Sequence, residues 1–396
     1  MPIRNPVLTG FNPDPALLRV GDDYYIATST FEWFPGVQIY HSRDLMHWRL
    51  LCRPLDRVSQ IDLKGCDHSC GVWAPCLTHA DGLFWLVYTN TRSWRGPFKD
   101  CHNYLVTAPD ITGPWSDPVY LHGVGFDPSL FHDEDGRKWI NAVRWDHRPI
   151  QEQSHFTGIV LQEYDHQTGH LVGPETLIWK GDYGTTEGSH IIKRDGWYYL
   201  LTAEGGTGPR HRLSLARSRH LHGPYETCPD NPLLTNADHP DARLSRCGHG
   251  SLIETPAGEW YVSHLCSRSI VPLGSDKDPG IDVADARSIM GRESGLQRVV
   301  WPNGEWPRLA TKGHRAQDEL PDPAGLEPHP WPAAPVRTPL DGDQLPLDFQ
   351  TLREPVDDSW LRCTAAGLAI RGRLSLFSQH EQSLVARRVQ HPRCRF

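Results

Sequence analysis

Long apolar runs are missing from this chain. No stretch of about 18 consecutive apolar residues occurs, which predicts no membrane span. The opening Met1-Pro2-Ile3-Arg4-Asn5-Pro6 has no charged segment leading into an apolar one, so no signal peptide is expected. Clustered Lys and Arg are absent too, and 40 basic residues face 48 acidic ones for a formal charge of -8. That balance argues against sequence-independent nucleic-acid binding, which uses a basic stripe. Phosphate-loop spacing is lacking, because Gly205-Gly206-Thr207-Gly208 fits neither glycine fingerprint. Ten cysteines in a chain without a leader read as free thiols in a reducing compartment, hence a cytoplasmic protein. Cys66, Cys70 and Cys76, with His68 and His79 nearby, follow a C-x3-C-x5-C spacing that matches no standard zinc knuckle, so no metal is expected there.

What the chain does have is turns and aromatics: 35 Gly, 34 Pro, 15 Trp, 12 Tyr and 11 Phe. Many turns with many aromatics suit an all-β protein of short hairpins. An internal repeat gives the architecture. Five times a small-residue-rich segment leads into a turn and then an aromatic-rich strand, starting at Asp14, Trp73, Asp127, Glu187 and His249. Nine positions after each start stand Asp23, Gly82, Gly136, Gly196 and Gly258, residues that accept or tolerate the positive φ of a tight hairpin turn. Starts are 54 to 62 residues apart, enough for a four-stranded sheet, so each repeat predicts one blade of a five-bladed β-propeller. Asp44-Leu45-Met46-His47-Trp48, Gly113-Pro114-Trp115 and Gly223-Pro224-Tyr225 echo one another and read as outer strands.

Radial repetition places equivalent residues on a ring about one axis, so the five starts are expected to meet at one end of the central channel. A single Asp-Pro pair is most simply a strand-start or turn device. Three acids in register with an aromatic and a histidine point to a site instead.

At these residues the sequence resembles glycoside hydrolase family 43, within its β-xylosidase branch. The stretches that carry the resemblance are Thr9-Gly10-Phe11-Asn12-Pro13-Asp14-Pro15, Ser29 through Val37, Gly71-Val72-Trp73-Ala74-Pro75, Gly125 through Asp133, Thr186-Glu187-Gly188-Ser189-His190 and Gly291-Arg292-Glu293. The resemblance implies a five-bladed propeller and hydrolysis with inversion, with Asp14 as general base, Glu187 as general acid and Asp127 tuning and orienting the acid. It further implies that Phe31, Trp73, Ala74, Trp145, Thr207, His249 and Arg292 contact or wall the terminal sugar. No cofactor is expected, although relatives with calcium in the channel make a structural ion near His249 an alternative. Like groups need unlike environments here: Asp14 must stay ionised and Glu187 must hold its proton, and the charge of Asp127 is the expected reason. Asn12 and Ala16 stand where relatives often carry His and Ser, and Ser189 where Pro is common. The stretch Lys64 to Cys70 is unusual and is expected to alter a loop near the pocket.

Residues 1–310 therefore read as the propeller, 311–338 as a Pro-rich linker and 339–396 as a fragment of a C-terminal β-sandwich. Asp348 through Arg353 and Ser375-Leu376-Phe377-Ser378 resemble that sandwich's opening strands, but some 50 residues cannot close two sheets, so a truncated domain is expected, with weakened homo-oligomerisation. The expected partner is a short oligosaccharide, with neither nucleic acid nor membrane involved. The leading reading is an exo-acting β-D-xylosidase. Its rivals are an α-L-arabinofuranosidase (or a bifunctional enzyme) and, from another class, an inactive sugar-binding propeller.

Overall fold

The computed structural model describes residues 1–148, 155–269, 287–311, 313–335, 337–373 and 382–391. Among them every regular element is a strand. No helix among them is long and apolar enough to cross a membrane.

Five antiparallel sheets follow one another along the chain, each ordered from an inner strand outward. The inner hairpins pair Ala16–Val20 with Asp23–Thr28, Gly71–Ala80 with Leu83–Ser93, Gly125–His132 with Lys138–Trp145 and Thr186–Arg194 with Trp197–Glu204. In the fifth, Ser245–Gly248 and Leu252–Glu254 share the partner Trp260–Ser267. Apolar clusters occupy all five seams between neighbouring sheets. One joins Ala27 and Ile39 to Leu77 and Leu86, and another joins Leu17 and Ile26 to Ile253 and Leu296, which closes the ring. This is the five-bladed propeller that the repeat implied. The closure is reinforced by the N-terminus: Ile3–Arg4 pairs with Glu319–Leu320, and the Asn5 side chain bonds both the carbonyl and the N–H of Leu296 (2.7 and 2.8 Å).

Two details of the repeat are corrected. The first hairpin turns at Gly21-Asp22, since Val20 pairs with Asp23, so Asp23 opens the returning strand rather than occupying the turn. The three echoing segments are not strands themselves but lead into outer strands; in the first, the Asp44 carboxylate accepts the N–H groups of Met46 and His47 (2.9 and 2.7 Å).

After the fifth blade, residues 321–335 carry no strand. Phe349–Leu352 then pairs on one side with Val385–Arg387 and on the other with Trp33–Phe34 of the propeller. The fully buried Arg353 locks this junction, donating to the carbonyl of Cys66 at 2.7 Å. The C-terminal segment is therefore laddered onto the propeller rather than hanging free. Residues Ser375 to Ser378, read as a sandwich strand, lie outside the described residues.

Candidate active site

All five inner strands carry the same irregularity near their start. In each blade one residue pairs normally and the next two form a bulge. The pairing residues are Pro13, Trp73, Phe126, Glu187 and Gly248. The residues after them, Asp14, Ala74, Asp127, Gly188 and His249, adopt left-handed φ of 58, 29, 53, 54 and 48°. A bulge of this kind bends the strand and re-aims a side chain, here toward the channel mouth.

The five repeat starts are thus not one structural position. Asp14, Asp127 and His249 occupy the bulge, whereas Trp73 and Glu187 sit one residue earlier. The slip arises because hairpin loops differ in length: Ala80 pairs with Leu83 across two residues, but His132 pairs with Lys138 across five. Counting back from the turn glycine absorbs that difference into the start. The acids converge nonetheless. One cavity of ≈ 220 Å³ is lined by Asp14, Asp127, Glu187, Phe31, Trp73, Thr207, His249 and Arg292, together with Ser69, Trp94 and Phe126.

Asp14 is held by Arg292, whose Nη1 donates to Oδ1 at 3.0 Å, and by Ser29, whose Oγ donates to Oδ2 at 2.7 Å. Arg292 reaches it because the N–H of Asn12 bonds the Arg292 carbonyl at 2.8 Å, stitching the N-terminal segment beside the fifth blade. The neighbouring Glu293 takes no part, being held by Nε and Nη2 of Arg268 at 2.6 and 2.7 Å. Burial alone would raise the Asp14 pKa. Arg292, His249 and Ser29 outweigh it and hold the carboxyl below its usual range.

Glu187 faces the opposite balance. Burial, then the negative charge of Asp14, push it up to about 7 against the weaker pull of Arg292 and Lys99. Asp127 is raised well above its usual value by burial and by the charges of Glu187 and Asp14, while the Gly188 N–H bonds its carboxyl. Beside burial, the charge of Asp14 raises Glu187, and Glu187 and Asp14 in turn raise Asp127, so the three acids act on one another. One carboxyl held below its usual range beside two pushed above theirs equips the pocket to accept a proton at one point and donate one at another.

The bulge that follows Glu187 is fixed from behind. Asn141 donates to both the carbonyl and Oγ of the buried Ser189 (3.0 and 2.6 Å), giving the serine a tie that a proline ring could not accept. Gly188 has no spare room, since a Cβ there would meet the His249 ring at 2.9 Å.

An aromatic wall completes the pocket. Trp73 lies 6.3 Å from Phe31 and 5.7 Å from Phe126, and its Nε1 donates to the Ser69 carbonyl at 2.9 Å, so the unusual Lys64 to Cys70 stretch does border the pocket. Two sequence-expected residues adjoin this cavity without lining it. Ala74 is the buried bulge residue of the second blade, its N–H donated to Ser29 at 2.7 Å. Trp145 packs behind Phe126 at 6.1 Å and donates to the Pro97 carbonyl at 2.7 Å. Ser29, Ser69, Trp94, Phe126 and Lys99 were not singled out from sequence. Ser29 and Phe126 lie inside the resembling stretches, whereas Trp94 and Lys99 sit in a loop without repeat character.

Among the described residues no group of three or more His, Cys, Asp and Glu is placed to hold a metal. Calcium seeks several oxygen ligands. Near His249 the electrostatic neighbours are Asp14, already engaged by Arg292 and Ser29, and the imidazoles of His190 and His211, so this donor set does not fit that ion.

Residues 3–307 match the family described as Glycosyl hydrolases family 43, and residues 339–396 match the Beta xylosidase C-terminal Concanavalin A-like domain. The chain is 49% identical to the Xylosidase/arabinosidase 43B of Humicola insolens, covering 99% of this chain and 70% of the relative. It is 49% identical to a Xylan 1,3-beta-xylosidase of a Vibrio species, covering 98% and 72%. The crystal structure of a xylan beta-1,4-xylosidase from Bacillus halodurans superposes with a TM-score of 0.92 at 51% identity, covering 98% of this chain and 72% of that one.

Proposed function

The chain belongs to glycosyl hydrolase family 43, and on that premise we propose that it is an exo-acting β-D-xylosidase that removes terminal xylose from short xylo-oligosaccharides with inversion. In this reading Asp14 is the general base, Glu187 the general acid, and Asp127 the third carboxyl that tunes and orients the acid. The observation that carries it is one pocket whose surroundings pull Asp14 down and push Glu187 up. Asp14, ionised against Arg292, draws a proton from the attacking water as oxygen bonds to the anomeric carbon. Glu187, holding its proton to about pH 7, delivers it to the departing glycosidic oxygen. Each group is worth about 10²–10⁴-fold in rate. Inversion requires the two carboxyls to be about 6.5–9.5 Å apart so that water fits between base and sugar.

A pocket of ≈ 220 Å³ is below the ~300–1,000 Å³ usual for drug-sized ligands, which suits one terminal sugar rather than a polymer cleft. Trp73 and Phe31 offer apolar faces to the ring, Arg292 and Thr207 its hydroxyl contacts. An α-L-arabinofuranosidase, or an enzyme with both activities, is the second reading, favoured by the double name of the Humicola relative. The described cysteines are all free thiols, which supports a cytoplasmic location.

The test is hydrolysis of xylobiose, 4-nitrophenyl β-D-xylopyranoside and 4-nitrophenyl α-L-arabinofuranoside, with NMR of the first anomer released. α-Xylose formed first, with the β-xyloside preferred in kcat/KM, is the expected result. A β-anomer first refutes inversion. Binding without turnover leaves a sugar-binding propeller in place of the enzyme.

A further inference from the structure

Lys99 stands outside the roles described so far. It lies in the loop Trp94-Arg95-Gly96-Pro97-Phe98-Lys99, which the Trp145 indole ties down through the Pro97 carbonyl at 2.7 Å. Its ammonium sits among four rings, 4.5 Å from the centroid of Trp145, 5.5 Å from Trp94 and 5.9 Å from both Trp73 and Phe126. Three of those rings line the sugar pocket. Among the described residues nothing hydrogen-bonds this ammonium or pairs with it as an ion. Its positive charge is nevertheless felt at Glu187.

Aromatic faces attract a cation but accept none of its hydrogen bonds in the ordinary sense. Three strong N–H donors are thus partly desolvated and unspent, an arrangement that costs free energy unless oxygen acceptors arrive. Trp94 beside it is 45% exposed, a flat indole at the pocket edge. Sugar hydroxyls supply acceptors, and the apolar C–H face of a pyranose supplies a match for the indole.

Resting on the β-xylosidase reading, we propose that Lys99 and Trp94 form the binding site for the departing sugar, with the Lys99 ammonium donating to its hydroxyls and the Trp94 face stacking against its ring. The side of the pocket follows from Glu187: the proton donor must face the leaving oxygen, and of the two cations felt at Glu187 only Lys99 is not already spent on Asp14. The same ammonium has a second effect, because it opposes the burial that raises Glu187 and so keeps the acid strong enough to give up its proton.

The test compares kcat/KM on xylobiose, whose leaving group is a sugar, with that on 4-nitrophenyl β-D-xylopyranoside, whose leaving group is a planar phenol without hydroxyls. In Lys99→Met the loss on xylobiose should exceed the loss on the aryl xyloside at least tenfold, and the basic limb of the pH profile should move to higher pH. Lys99→Arg should restore most of the xylobiose rate, since it retains charge and donors. Equal losses on both substrates, with an unmoved basic limb, would assign Lys99 to holding the four rings in place and overturn the proposal. Unchanged xylobiose turnover would overturn it as well. Failure of the β-xylosidase reading is distinguishable, because the unsubstituted protein would then hydrolyse neither substrate.

Discussion

Replacing Arg292 by methionine removes the cation that lies 3.0 Å from the Asp14 carboxylate while keeping much of the side-chain volume. At that distance and an effective dielectric near 20 the attraction is about 5 kcal/mol. Partial exposure of Arg292, 24% of its side chain, reduces what is realised. An opposite charge this close ordinarily moves a carboxyl by about 1–3 pH units. The direction follows from the folded state: Asp14 is depressed, so the base stays ionised until the pH falls through its lowered pKa. Without Arg292 that point rises, and the acid limb of kcat/KM should climb by about 1–3 pH units. Arg292 also pulls Glu187 down, so the basic limb should move upward by a smaller amount. The whole bell is displaced toward alkaline pH, and at pH 5 the variant should lose far more activity than at pH 7. Initial rates on 4-nitrophenyl β-D-xylopyranoside across pH 4 to 9, with circular dichroism at each end, read this directly. An acid limb that stays in place while the rate falls uniformly would show that Arg292 binds substrate but does not hold the base, and the electrostatic argument would fail.

Glu187→Gln should abolish most turnover on xylobiose yet raise thermal stability at neutral pH. The folded protein keeps this proton to about pH 7, whereas the unfolded chain releases it near 4.5, so stability declines as pH rises between those values, by at most about 3 kcal/mol. Calorimetry at pH 5 and pH 7.5 should therefore find the variant's advantage only at the higher pH. Asp14→Asn should lose about 10²–10⁴-fold in kcat with the fold intact, and retained activity would remove Asp14 from the mechanism. Gly188→Ala forces a Cβ to within 2.9 Å of the His249 ring at a φ of +54°, and should cost about 1–3 kcal/mol in denaturant unfolding besides disturbing Glu187. Ser29→Ala removes one hydrogen bond to Asp14 and leaves the Ala74 N–H without a partner, so a loss of about 1–3 kcal/mol and a small alkaline move of the acid limb are expected.

Blade number was legible because a turn glycine must recur wherever the chain reverses with positive φ, and Gly82, Gly136, Gly196 and Gly258 announce it. Convergence of the acids followed from symmetry. Their exact register did not, since the bulge is a backbone event that Ala74 and His249 undergo as readily as Asp14. No residue type marks it, and variable hairpin loops hide the offset. The balance among the three acids was also out of reach. Asp14 and Asp127 are both acids in the sequence, and only the placement of Arg292 and Ser29 beside Asp14 pulls that one below its usual range. Trp145 read as a pocket wall because it is an aromatic in a matching place, but Phe126, one strand nearer the axis, takes that position and leaves Trp145 to anchor a loop.

Carbon NMR of the protein labelled at its Asp and Glu carboxyls, titrated from pH 3 to 9, measures the division of labour itself. The account predicts that Asp14 is ionised throughout most of the range while Glu187 titrates near 7, each resonance assigned by its Asn or Gln variant. A Glu187 that ionises with the ordinary surface carboxylates, or an Asp14 that remains protonated at neutral pH, would contradict it.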